Sequence, residues 1–246
     1  MVVPDVLWLS ASPSLKRFDQ PLLKLLSRQV TIAQWEYYQT PDEACSLEIA
    51  LVLLHDYLKA CAHPVHLCGH GISGLVALLY AQRHPERVKS LVLLSVGVHP
   101  AVDWQAHYYM HRQLLSCSQS MILAQMVTNL FGPQSHATTR ELVKILEQDL
   151  ESSLSPHTLF RRISIPPISV KMPLMVCGGG ADMVVDRNQL QGWREWQKVG
   201  DRLWSCPDAG YFFHFVQPDK VAQALSDFWL SLPALAQQTE SNPQLT

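Results

Sequence analysis

Apolar and polar positions follow two alternating patterns along most of the chain. Short apolar runs are separated by stretches in which leucines recur every three or four residues, as at Leu47, Leu51, Leu54 and Leu58. The short runs predict β-strands, and the leucine spacing predicts amphipathic helices. A repeated strand–helix order predicts an α/β fold, with a mostly parallel twisted sheet covered by helices on both faces.

The predicted strands cover positions 6–9, 30–37, 65–68, 88–95, 174–177 and 202–205. The fourth of them is apolar on both faces, which is typical of a central parallel strand. Helices are predicted to begin at Pro21, Thr40, Gly74, near Gln189 and at Pro218. The helix at Thr40 is expected because positions 40–43 read Thr-Pro-Asp-Glu and match a capping box.

The strand–helix alternation stops at about residue 99 and resumes at about residue 171. Helical patterns follow one another between these points, around 104–115, 121–130 and 138–150. We interpret 99–170 as an inserted helical cap on a core formed by 1–98 and 171–233. The polar segment 234–246 is expected to be a disordered tail.

Composition and charge narrow the function classes. The 246 residues are 48% hydrophobic, which suits one large domain with an insertion. A net charge of -2 and no Lys/Arg run give no reason to expect a nucleic-acid partner. The start of the chain lacks a secretory pattern, and no apolar run reaches the ~18 residues of a membrane span, so we expect a soluble, cytoplasmic protein. The six scattered cysteines are expected to be reduced.

One dense motif, Gly-His-Gly-Ile-Ser-Gly at positions 69–74, lies between a predicted strand and a predicted helix. It spells the G-x-G-x-x-G of a dinucleotide site, which also needs an acidic residue about 20 positions further on for the ribose. The next strand ends at 94–97 with Leu-Ser-Val-Gly and supplies no acid. A dinucleotide-binding oxidoreductase is therefore a distant alternative.

The same motif and its surroundings resemble the nucleophile elbow of the α/β-hydrolase family, with Gly71 in the nucleophile position. The stretch 173–182 resembles the strand and turn that carry the family's triad carboxylate, and Asp182 matches that carboxylate. The stretch 208–211 resembles the histidine loop, but Tyr211 stands where the triad histidine belongs. The resemblance extends from the first strand to the last helix and implies the α/β-hydrolase fold.

The departures from that pattern remove catalytic groups. Triad chemistry needs a hydroxyl or thiol and a neighbouring base, whereas Gly71 has no side chain and the Tyr211 phenol keeps its proton at neutral pH. The family's His-Gly after the first strand is replaced by Ser10-Ala11, which alters the loop that gives one oxyanion donor. The other donor, the Ile72 N–H at a helix N-terminus, depends only on backbone and is expected to remain. The resemblance thus predicts a degenerate member lacking nucleophile and triad histidine.

The site is expected at the carboxyl ends of the strands, with Gly71, Asp182 and Tyr211 close together and the Tyr211 hydroxyl as a candidate donor to Asp182. We expect no metal and no cofactor, because His63, His66 and His70 lack the helical spacing of a zinc site. The residues expected to line the binding cleft under the cap are Ser10, Ala11, Ser12, His70, Gly71, Ile72, Asp182, Tyr211 and His214.

Two functional hypotheses follow from this site. The first is a non-hydrolytic protein that binds a small hydrophobic ligand or a protein partner in the cleft. The alternative is an esterase-like or lyase-like enzyme that uses His70 or His214 with Asp182. Packing roles are favoured for Ser73 and His214, and the spacing of the cap residues Trp104, Tyr108, Met110 and Leu115 is more typical of core than of a ligand cavity.

Overall fold

The computed structural model describes residues 4–39 and 42–232. The predicted tail at 234–246 and the first half of the predicted capping box, Thr40 and Pro41, lie outside the described residues. All further statements about structure concern the described ranges.

The centre of the fold is a six-stranded parallel sheet with the order β2-β1-β3-β4-β5-β6. The predicted α/β fold is confirmed, and each predicted strand corresponds to an observed one with ends that differ by a few residues. The strands are β1 Val6–Ser10, β2 Ile32–Glu36, β3 Val65–His70, β4 Val88–Leu94, β5 Leu174–Gly179 and β6 Arg202–Cys206.

Helices cover both faces of this sheet. They are α1 Gln20–Leu26, α2 Leu47–Lys59, α3 Ile72–Arg83, α4 Trp104–Leu114, α5 Gln119–Phe131, α6 His136–Ser152, α7 Arg187–Gln191, α8 Phe213–Val216 and α9 Pro218–Ser231. Short 3₁₀ turns lie at Lys16–Phe18, Pro85–Arg87 and Gly192–Trp196. The helices α4, α5 and α6 follow one another between β4 and β5, where the sequence predicts successive helices. The division of the chain into core and cap stays a prediction.

The strand β1 shows how the sheet is buried. Leu7 and Leu9 pack in one hydrophobic cluster with α2 and α3, whereas Val6 and Trp8 pack in another with α1 and α9. Successive side chains of a strand point to opposite faces, so this division follows from the two-residue period. A strand covered on both sides has no polar face, which explains the nearly continuous apolar sequence.

The predicted start of α2 was wrong. The helix begins at Leu47, and the Ser46 side chain caps it by accepting from the Ile49 N–H at 3.5 Å. Residues 42–45 are exposed, while the buried stripe of α2 begins at Ala50. A local capping pattern is weak without burial of an adjacent apolar face, which is why the helix starts where its buried stripe starts.

The junction of β3 with α3 depends on small residues. A methyl group on Gly74 would lie 2.5 Å from Val96 Cγ2 and 2.9 Å from the Gly69 carbonyl oxygen. A methyl group on Gly69 would lie 2.6 Å from the Ser73 carbonyl. Both positions therefore need glycine so that the first turn of α3 can pack against the end of β3. This packing accounts for two glycines of the G-x-G-x-x-G pattern without a nucleotide.

Replacing Gly74 by alanine is expected to lower the free energy of unfolding by about 1–3 kcal/mol, because the new methyl group overpacks against Val96. Urea denaturation measures the loss. In the Gly74→Ala/Val96→Ala double variant one of the close contacts is gone, so the total loss should be smaller than the sum of the single losses. Strict additivity would show that Val96 is not the obstacle.

Candidate functional site

The turn after β3 carries an unusual backbone conformation. Gly71 has φ 53° and ψ -122° and caps α3, and its N–H donates to the Leu94 carbonyl at 2.9 Å. This conformation is strained by about 1–3 kcal/mol for a residue with a Cβ. Glycine removes the strain, so the turn keeps the sharp shape of the strand–turn–helix elbow.

Tyr211 fills the space beside this turn. Its side chain is buried, and its hydroxyl would overlap sterically with a Cβ on Gly71. Its ring makes an edge contact with the His70 ring at a centroid distance of 4.6 Å. Burial raises the pKa of Tyr211 well above its ordinary value, so the phenol stays protonated at neutral pH. The protonated phenol thus fills the space beside Gly71.

Asp182 follows β5 and has a full set of hydrogen bonds. Its Oδ1 accepts from the Val184 and Val185 N–H groups at 2.8 and 3.0 Å, and its Oδ2 accepts from Ser95 Oγ at 3.2 Å. Burial raises the pKa of Asp182 to about 6 in spite of these donors. The candidate hydrogen bond from the Tyr211 hydroxyl is absent from the described contacts of Asp182, because that hydroxyl faces Gly71.

Ser95 connects Asp182 to the Tyr211 loop. Its hydroxyl lies 2.8 Å from the Tyr211 carbonyl oxygen as well as 3.2 Å from Asp182. The residue is buried and has a left-handed φ of 48° directly after β4. Sequence reasoning missed this role, since a single serine at a strand end carries no signal of such a backbone. The carboxylate therefore binds a serine where a triad carboxylate would bind a histidine.

His214 pairs with an acid that sequence reasoning did not find. It is fully buried, and its Nε2 donates to Asp19 Oδ1 at 3.0 Å. The other oxygen of Asp19 accepts from the Trp8 Nε1 at 3.0 Å. The suggested pairing of His214 with Asp182 is therefore wrong. These contacts link β1 to α8, although Asp19 and His214 are 195 residues apart in the sequence.

His70 is also engaged in the structure. Its Nε2 donates to the Tyr211 carbonyl oxygen at 3.0 Å, and its ring lies beside that of His214 at a centroid distance of 4.4 Å. Burial lowers the pKa of His70 well below its ordinary value, with a smaller contribution from His214. A neutral imidazole that donates from Nε2 holds the Tyr211 loop in place.

The loop after β1 is tied to the first turn of α3. The Ala11 N–H donates to Ser73 Oγ at 2.8 Å, so this amide is already satisfied. The same bond gives the Ser73 hydroxyl a structural partner on the first turn of α3. The Ile72 amide stands at the first position of α3, as the elbow pattern predicts.

The cavity at the elbow is very small. Its volume is about 20 Å³, which holds about one water molecule. The expected site residues that line it are Ser10, Ser12, His70, Gly71, Ile72 and Tyr211, and Asp103, Trp104 and Gln105 at the start of α4 cover it. Ala11, Asp182 and His214 lie outside its lining. The expected ligand cleft is therefore nearly filled at this point.

A second group of buried polar side chains lies beside this cavity. Asp149 on α6 is fully buried, and its Oδ2 accepts from Trp104 Nε1 at 3.2 Å and from Gln105 Nε2 at 3.3 Å. Its Oδ1 and the Gln105 Oε1 have no hydrogen-bond partner in the described part of the chain. Burial raises the pKa of Asp149 to about 7.

The aromatic and apolar residues of α4 and its C-cap Leu115 differ in how deeply they are buried and in what they contact. Trp104 and Tyr108 are buried in a cluster with Tyr211 and Phe212, as core spacing predicts. Leu115 is 48% exposed. Met110 lines a cavity that is separate from the elbow.

Comparison with known proteins agrees with this geometry. Residues 8–224 match the model of the alpha/beta hydrolase family. The chain belongs to the α/β-hydrolase family. It is 48% identical over 227 residues to an uncharacterized protein of Synechocystis sp., across 92% of this chain and 90% of that protein. An uncharacterized protein of Nostoc sp. is 46% identical over 225 residues, with the same coverage of 92% and 90%.

A solved structure shows the same fold at low identity. Naproxen esterase from Bacillus subtilis has a TM-score of 0.67 and 16% identity, across 91% of this chain and 83% of that protein.

Within the described part of this chain, no cluster of three or more His, Cys, Asp or Glu could hold a metal ion. No helix in the same ranges is long and apolar enough to cross a membrane.

The contact between Gly71 and Tyr211 predicts non-additive stability effects. Gly71→Ala is expected to cost about 1–3 kcal/mol from backbone strain, with a further loss from the overlap with the phenol oxygen. Tyr211→Phe removes that oxygen, so Gly71→Ala should cost less in the Tyr211→Phe background. A double-mutant cycle in urea measures the coupling, which we expect to be about 0.5–3 kcal/mol. A coupling of zero would contradict the overlap.

The buried Asp149 predicts a pH dependence of stability. Its native pKa of about 7 lies above the unfolded value of about 3.9, so the native state binds more protons between these pH values. The stability contributed by the protonated carboxyl is complete below about pH 4 and is lost as pH rises through 7. Asp149→Asn should make the melting temperature less dependent on pH between 5 and 8, while Asp227→Asn on the exposed face of α9 should leave the dependence unchanged.

Proposed function

We propose that this chain is a non-hydrolytic member of the α/β-hydrolase family that works as a binding protein. The observation that carries the proposal is the Tyr211 hydroxyl, which occupies the space of a nucleophile side chain next to Gly71. A serine or cysteine side chain at position 71 and this phenol exclude each other sterically. Position 71 therefore has no room for a nucleophilic side chain beside Tyr211.

Each remaining part of acyl-transfer chemistry is engaged elsewhere. The triad base is replaced by a protonated phenol, and in the loop after β1 the Ala11 amide already donates to Ser73. The neighbouring hydroxyls of Ser73 and Ser95 both have hydrogen-bond partners in the framework. Neither has a histidine partner that could activate it.

The enzyme alternative has weaker support. It requires His70 or His214 to act with Asp182, but His214 is bound to Asp19 and His70 to the Tyr211 carbonyl. A substrate must also reach the site, and the cavity at the elbow holds about one water molecule. An esterase-like or lyase-like reaction at the elbow is therefore not favoured. The dinucleotide alternative is not favoured either, since Gly69 and Gly74 are explained by packing.

A binding role needs a surface or cavity outside the elbow. The filled elbow excludes an organic ligand there, so a small hydrophobic ligand or a protein partner has to bind at another place on the fold. Fold alone does not choose between these occupants.

A fluorophosphonate probe tests the proposal directly. The wild-type protein is expected to remain unlabelled, because no activated hydroxyl stands at the elbow. The Gly71→Ser/Tyr211→His double variant removes the blocking phenol and restores a nucleophile and a base, so we expect labelling at the introduced serine. Adding Asp182→Asn should abolish that labelling. Gly71→Ser alone should stay unlabelled and lose about 1–3 kcal/mol of stability.

Mass spectrometry of the labelled peptide distinguishes the outcomes. Stoichiometric labelling of wild-type protein at Ser73 or at any other serine would overturn the non-hydrolytic proposal. A folded double variant whose introduced serine stays unlabelled would contradict either the assignment of positions 71, 182 and 211 to the triad or the opening of the elbow to the probe by removal of the phenol. Retained folding is checked by the melting temperature.

A further inference from the structure

A second cavity lies between α4 and the segment 157–165, apart from the elbow. Its volume is about 370 Å³, which falls within the range of small-molecule sites. None of the residues that line it also lines the elbow cavity. Residues of α4 line both cavities, and this one has the larger volume.

The walls of this cavity are mostly apolar. Ala106 and Met110 come from α4, and Ile163 and Ile165 come from the segment that faces it. All four side chains are partly exposed in the structure. Filling the cavity with an apolar group would remove this surface from water, which is the main driving force for binding.

One wall also carries a permanent positive charge. Arg162 is exposed at the cavity and makes no hydrogen bond or ion pair to any residue within the described ranges. The guanidinium is thus available to a ligand, and its planar donors suit a carboxylate.

The cavity wall is held in place by a buried histidine. His157 is 3% exposed, its Nε2 donates to the Ala101 carbonyl oxygen at 2.6 Å, and its Nδ1 accepts from the Ile163 N–H at 3.4 Å. Both ring nitrogens are therefore used to tie the segment that carries Arg162 and Ile163 to the chain after β4. A fixed wall lowers the ordering cost of binding.

We propose that this cavity binds an amphipathic monocarboxylate, with the apolar tail between Met110 and Ile163 and the carboxylate at Arg162. The inference rests on the proposed function only in requiring that the ligand is bound and not hydrolysed. The apolar walls select the tail and the unpaired guanidinium selects the charged head.

Calorimetric titration with octanoate and with octanol tests the site. The wild-type protein should bind octanoate more tightly than octanol, because only octanoate has a charged head for Arg162. Arg162→Ala should weaken octanoate binding by about tenfold, the effect of losing one charge-assisted hydrogen bond, and leave octanol binding unchanged. Arg161→Ala is the matched control, since Arg161 is the exposed neighbour that does not line the cavity. It should change neither affinity.

Variants that fill the cavity locate the tail. Met110→Trp should abolish binding of both ligands. If that variant does not fold, Ala106→Leu on the same helix serves as the test and should weaken binding of both ligands. Equal affinity for octanoate and octanol, equal effects of the two arginine variants, no binding to the wild type, or undiminished binding to the folded filled variants would each overturn the proposal. Such a failure leaves the fluorophosphonate result intact, so it is distinguishable from failure of the proposed function.

Discussion

The rest of the site depends on one steric constraint: the Tyr211 phenol leaves no room for a side chain at position 71. A residue with a Cβ at position 71 would meet the phenol oxygen and would also adopt a strained backbone with φ 53°. Glycine removes both penalties at once, so stability favours glycine at position 71 beside Tyr211.

The polar groups around this pair form a supporting network instead of a proton relay. The Tyr211 carbonyl accepts from His70 Nε2 and lies within hydrogen-bond distance of Ser95 Oγ, which also reaches Asp182. Asp182 therefore has a structural reason to persist, because it fixes the turn after β5 and reaches the tyrosine loop through Ser95. Buried polar groups are costly unless they are paired, and pairing of this kind specifies one arrangement of the loops.

Local patterns and long-range contacts explain what the sequence could predict. The strands and the positions of Gly71, Asp182 and Tyr211 are readable because each is tied to a short motif at a strand end. Asp19 and Asp149 escape such a reading, since their partners His214 and Trp104 lie 195 and 45 residues away and leave no local pattern. The capping pattern at Thr40 predicted the wrong start for α2, because a capping motif alone does not supply the buried face that this helix has from Ala50 onward. The filling of the cleft depends on side-chain packing, which periodicity does not describe.

The helix α4 connects the filled elbow with the open cavity. Trp104 and Gln105 at its start cover Gly71 and Tyr211, whereas Ala106 and Met110 face the cavity that carries Arg162. One helix thus borders two spaces of different size, one large enough for about one water and the other about 370 Å³ in volume. A ligand in the second space would contact the same helix that closes the first. The filled elbow and the proposed binding cavity are therefore compatible within one arrangement of the fold, because α4 borders both.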